Sequence, residues 1–74
     1  MDSKNIFDVS GKTIIITGAA GMLGTEYAKG LSEKGANVVL ADLDFKKCKE
    51  ISLELGKKYG NKTLPINLDL TKIL

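Results

Sequence analysis

Three glycines and one carboxylate are the residues here whose spacing could do chemistry. The segment Thr17-Gly18-Ala19-Ala20-Gly21-Met22-Leu23-Gly24 has two residues between each glycine and the next, and Asp42 follows eighteen positions after Gly24. A glycine turn lets the main chain take positive φ and removes the Cβ atoms that would keep an anion away from backbone N–H groups. Where such a turn opens a helix, the first N–H groups have no intrahelical acceptor and the helix dipole is positive, so a phosphate or pyrophosphate is the natural ligand. An acid about twenty residues further on, at the end of the next strand, is placed to accept hydrogen bonds from ribose hydroxyls. Glycine triplets alone mark many ordinary turns. The strand before, the helix after and the acid beyond make this one a dinucleotide site.

The elements that must position these groups are legible around them. Thr13-Ile14-Ile15-Ile16 reads as a strand, with residues 1–11 as a lead-in where Ile6, Phe7 and Val9 pack beside it and Ser10-Gly11 turn the chain. Leu23, Tyr27, Ala28 and Leu31 form the apolar stripe of a helix over 22–34, stopped by Gly35. Asn37-Val38-Val39-Leu40-Ala41 reads as a second strand, unalternating as in a parallel sheet covered on both faces. Asp44 caps a second helix, with Phe45, Cys48, Ile51, Leu55 and Tyr59 on one side, ended by Gly60-Asn61 or earlier at Gly56. Thr63 to Leu68 is the third strand, in which Pro65 requires an edge or a strand start. The fold class is α/β: residues 12–74 form the N-terminal βαβαβ part of a Rossmann-type doubly wound parallel sheet, incomplete at its C-terminal end, with strand order 3-2-1.

Composition narrows the alternatives. Among 74 residues there are eleven lysines, no arginine and nine acids, a net charge of +2. That balance lacks the dense basic face and bidentate arginines of a nucleic-acid binder. Lys46, Lys47 and Lys49 read as a solvated helix face. One cysteine and no histidine exclude an internal disulfide and a structural zinc set. No apolar run is long enough for a signal peptide core or a membrane span, so a cytoplasmic location is expected, with neither nucleic acid nor membrane as partner. Gly11-Lys12-Thr13 imitates the end of a P-loop, but Ile6 stands where that pattern needs glycine, and the segment precedes a strand instead of following one.

With these residues in place, the chain resembles the N-terminal part of a short-chain dehydrogenase/reductase over nearly all of residues 10–71. The resemblance rests on Thr17 to Gly24 after the first strand, Asp42 after the second and Asp69-Leu70-Thr71 after the third. It implies that Gly18, Ala20, Gly21, Met22, Leu23, Gly24, Asp42, Leu43, Asp69 and Leu70 bind the adenosine and pyrophosphate end of the cofactor. The charge of Asp42 would repel a 2′-phosphate, which favours NAD over NADP; Lys46 and Lys47 are the residues that could reverse that preference. Two-and-two glycine spacing is similar to the extended subgroup, which includes sugar-nucleotide epimerases and dehydratases. Lys34-Gly35-Ala36-Asn37-Val38-Val39 reads more like the reductase-type members.

The family's Tyr-x-x-x-Lys pair has no counterpart. Tyr27 is followed four residues on by Leu31, and Tyr59 by Thr63. The expectation is therefore a fragment of an NAD-dependent oxidoreductase, without catalytic or metal-binding residues, whose small-molecule substrate is bound by further chain. The resemblance also implies that the intact protein is a homo-oligomer. A non-catalytic NAD-sensing protein and a free-standing interaction module are the rival expectations.

Overall fold

The computed structural model describes residues 8–69. Strand β1 (Thr13–Thr17) leads through the glycine turn into helix α1 (Met22–Glu33), then β2 (Asn37–Asp42), helix α2 (Phe45–Tyr59) and β3 (Thr63–Asn67). The three strands are parallel in the order β1-β2-β3, with Thr13 opposite Asn37 and Val38 opposite Thr63. This is the expected βαβαβ arrangement. The expected packing of Ile6 and Phe7 and the cofactor role of Leu70 fall outside the described residues.

Local chemistry accounts for the element ends. The Asp44 carboxylate accepts from Lys47 N–H at 3.1 Å and caps α2. Gly60, at φ 72°, takes the left-handed conformation that ends the helix, and its N–H donates to Gly56 O at 2.9 Å. Gly56 does not end α2 early; the helix runs on to Tyr59. Pro65 sits opposite Leu40 in β3. Val38 N–H donates to Lys62 O and Leu68 N–H to Asp42 O, so the even-numbered positions of this segment face β2. Pro65, at an odd position, turns its N–H-less nitrogen to the open edge, where nothing is lost.

One apolar core joins the helices to one face of the sheet: Ile16, Ala28, Val38, Leu40, Cys48, Ile51 and Leu55, with Ile14, Leu31 and Tyr59 packed around it. Phe45, expected on the buried side of α2, is 40% exposed at the helix start. The phase of α1 also differs from expectation. Its buried positions are Gly24, Ala28 and Ser32, whereas Leu23 and Tyr27 are 69% and 61% exposed. The reason is steric: only a stripe of small side chains lets α1 come as close to the sheet as it does.

Asn61 ties the strand starts together. Its Nδ2 donates to Ser32 Oγ at 2.9 Å and to Ala36 O at 2.8 Å, linking the end of α1 to the approach to β2.

The sheet is covered on one face only among the described residues, contrary to the two-sided burial that β2 suggested. Two crossovers of the same hand, stepping in the same direction across the sheet, deposit both helices on the same side. On the other face, Ile15 lies opposite Val39 and Val39 opposite Leu64; Ile15 and Leu64 are exposed, as is Ile66. An apolar sheet face beside an unpaired strand edge favours association between copies. The isolated 74-residue chain should therefore sediment as a concentration-dependent oligomer, and Ile15→Lys should reduce that association. A sharp-melting monomer at all concentrations would contradict this.

Candidate functional site

Strand β1 delivers Gly18 at φ 66°, and an added Cβ there would meet no atom within 4 Å. Its cost would be conformational, and its place open space. Gly21 N–H donates to Gly18 O at 3.0 Å, closing the turn, and Gly21 is the N-cap of α1. No side chain caps that helix and no acid lies in its first turn, while Gly21, Met22 and Leu23 are all exposed. The positive end of α1 thus faces outward with no capping side chain and no acid of its own first turn.

Gly24 acts differently. It is buried, and a Cβ there would collide with the Gly18 carbonyl oxygen and lie 2.8 Å from Ala19 Cα. The helix start rests directly on the turn, which explains a glycine that costs helix propensity of about 1 kcal/mol relative to alanine.

Asp42, half-buried at the end of β2, reaches both neighbouring segments. One carboxylate oxygen accepts from Ala20 N–H at 3.1 Å and the other from Asp44 N–H at 2.9 Å. Asp42 and Asp44 divide two tasks: Asp44 caps α2, and Asp42 joins the glycine turn to the turn after β2. Leu43 is 64% exposed beside it. Asn67 Nδ2 donates to Leu43 O at 3.4 Å, and half-buried Asp69 follows two residues later. The described candidates, Gly18, Ala20, Gly21, Met22, Leu23, Gly24, Asp42, Leu43 and Asp69, therefore collect at the C-terminal ends of the three parallel strands. Open α/β sheets take their ligands at that end.

Burial holds the Cys48 thiol above its ordinary range, and the Asp42 and Asp44 carboxylates push the same way. It stays protonated and packs as a small apolar group. Among the described residues no cluster of histidine, cysteine or acidic side chains could hold a metal ion, and no helix is long and apolar enough to cross a membrane.

Thr25 is the residue that sequence reasoning missed. Its Oγ1 lies 2.8 Å from Gly21 O and 3.0 Å from Ala19 O and donates between them. A threonine one residue past the glycines carries no signal until the turn folds back over it.

Because the Gly24 approach is to backbone atoms, which cannot step aside, Gly24→Ala should lower the stability of the intact protein by about 1–3 kcal/mol. Gly30→Ala, whose added Cβ would meet nothing within 4 Å, should not lower it. Urea unfolding of the two variants measures the difference, and equal midpoints would contradict the contact.

Comparison with known proteins matches this arrangement. The family model for short chain dehydrogenase matches residues 12–73. A short chain dehydrogenase/reductase of Colletotrichum higginsianum, dpchG, is 37% identical over 68 residues, covering 92% of this chain and 25% of its own length. The chain thus spans about a quarter of the length of this curated relative. The crystal structure of a short-chain type dehydrogenase/reductase from Mycobacterium marinum superposes with a TM-score of 0.82 at 35% identity, over 96% of this chain and 28% of that one. The L-sorbose reductase of Gluconobacter frateurii, solved with NADPH and L-sorbose, superposes at 0.79 with 31% identity, over 82% and 23%. With the family model matching residues 12–73, the chain belongs to the short chain dehydrogenase family.

Proposed function

We propose that this chain binds the adenosine and pyrophosphate end of NAD(H) in an oxidoreductase whose substrate-binding and proton-transfer groups lie on further chain. The observation that carries this reading is the uncapped, acid-free start of α1 beside the open Gly18 turn, with the Asp42 carboxylate at the adjacent strand end. A pyrophosphate suits that helix start because the exposed first turn supplies N–H donors and a positive dipole with no competing side chain. Gly18, Ala20, Gly21, Met22, Leu23 and Gly24 are assigned to the phosphates, Asp42 and Leu43 to the adenosine ribose, and Asp69 and Leu70 to the adenine. The nicotinamide, when bound, supplies the hydride chemistry. This chain's part is to hold and orient the other half of the cofactor. The intact protein is proposed to be a homo-oligomer acting in the cytoplasm on a small molecule.

NADP is the competing cofactor, and NADPH accompanies the L-sorbose reductase neighbour. Lys46 and Lys47, exposed in the first turn of α2, are the cations nearest in sequence to Asp42 and are the residues a 2′-phosphate would use. Against this, Asp42 is a fixed carboxylate held between two backbone donors, and a 2′-phosphate beside it would meet like charge.

The test is cofactor titration of the intact protein carrying Asp42→Ala. Hydrogen bonds to a charged group contribute about 1.5–3 kcal/mol, so NAD affinity should fall roughly 10- to 150-fold. NADP should lose less, because a repulsion is removed along with the acceptor, and the NAD/NADP ratio should move towards NADP. An unchanged ratio would contradict the ribose assignment.

A further inference from the structure

The peptide unit between Ala19 and Ala20 is held at both of its polar ends by side chains from different elements. Its carbonyl, Ala19 O, accepts from Thr25 Oγ1 on α1 at 3.0 Å, and its N–H, on Ala20, donates to Asp42 Oδ2 on β2 at 3.1 Å. The neighbouring Ala19 N–H donates to Ala41 O at 3.2 Å, so the turn is also anchored to the end of β2 by main chain. Ala19 and Ala20 are both buried. The flanking residues Gly18 and Gly21 are both exposed and, as glycines, restrict backbone rotation least.

We propose that Thr25 and Asp42 are a pair of positioning residues that lock the orientation of the Ala19–Ala20 peptide and so keep the glycine turn in its anion-accepting shape. Rotation of this peptide as a unit, through ψ of Ala19 and φ of Ala20, would exchange the directions of its carbonyl and its N–H. Flipped, the Ala19 carbonyl would face the Asp42 carboxylate, negative against negative, and the turn would have to change shape to relieve it. With Thr25 gripping the oxygen and Asp42 the N–H, a flip breaks two hydrogen bonds at once. Thr25 has a further constraint: its single proton is shared with Gly21 O, the N-cap carbonyl, so the same hydroxyl bridges the turn and the helix start.

This inference rests on the dinucleotide reading for its consequence and not for its geometry, and the experiment separates the two. In the intact protein without cofactor, Thr25→Val removes the hydroxyl at nearly constant volume, and Thr25→Ser restores it. Amide hydrogen exchange at Ala20, read against that of Leu40 in the core, should quicken by about threefold to tenfold in Thr25→Val and in Asp42→Ala, and return towards the parent rate in Thr25→Ser. Affinity for NAD and for NADP should fall together in Thr25→Val by about threefold to tenfold and recover in Thr25→Ser. Thr25 would then alter binding without altering the NAD/NADP ratio, unlike Asp42→Ala. Parent-like exchange at Ala20 in Thr25→Val, or a quickening shared equally by Leu40, would overturn the lock. If the parent binds neither cofactor, the dinucleotide reading fails, while Ala20 exchange still decides whether the lock exists.

Discussion

The close approach of α1 to the glycine turn is the constraint on which the rest of the structure depends. Gly24 has backbone atoms of Gly18 and Ala19 where any other residue would carry its Cβ, and Ala28 and Ser32 continue the small stripe along the helix. Packed this near, the helix carries its first turn directly over the end of β1. A larger residue at Gly24 would lift the helix start away from the turn and separate the dipole from the donors that must act with it. Burial of the core behind it, chiefly Val38, Leu40 and Leu55, fixes the other end of that contact.

From this contact the site spreads sideways along the strand ends. Asp42 links the glycine turn to the turn after β2, Leu68 N–H reaches back to Asp42 O at 3.1 Å, and Asn67 reaches Leu43 O. Three successive strand ends are thereby tied to one another by polar contacts, not by bulk. The large side chains of that margin, Met22, Leu23 and Leu43, are exposed and not packed across it. At the opposite end of the strands, a groove of about 190 Å³ lies beside Thr13, Asn37, Val39, Lys62 and Leu64 on the uncovered face. That groove has Lys62 as a cation but neither the helix N-terminus that would receive a pyrophosphate nor the strand-end acid that would accept from a ribose.

Much of this was legible in the sequence because the signals were local. Asp44 as N-cap, Gly60 as left-handed stop, the three strands and the glycine turn each follow from residue type at a given place. Other features depend on distance in space, and there the sequence was silent or misleading. Leu23 and Tyr27 had the right spacing for a buried stripe, yet the contact at Gly24 sets the helix phase and leaves them exposed. The double role of Asp42 and the hydroxyl of Thr25 appear only once β2 and α1 converge on one peptide. Asn61 read as a helix terminator, whereas its side chain joins α1 to the start of β2. The apolar run of β2 spoke for two covered faces, which the described residues supply on one side alone.

The central claim is that the strand-end margin, and no other surface, holds the cofactor. Mapping amide chemical shifts of the intact protein during titration with NAD tests it most directly. The account predicts that the largest changes fall on Gly18, Ala20 to Gly24, and Asp42 to Leu43, with Thr13, Lys62 and Leu64 unmoved. Shifts centred on the groove at Thr13, Lys62 and Leu64, with the glycine turn unchanged, would contradict it.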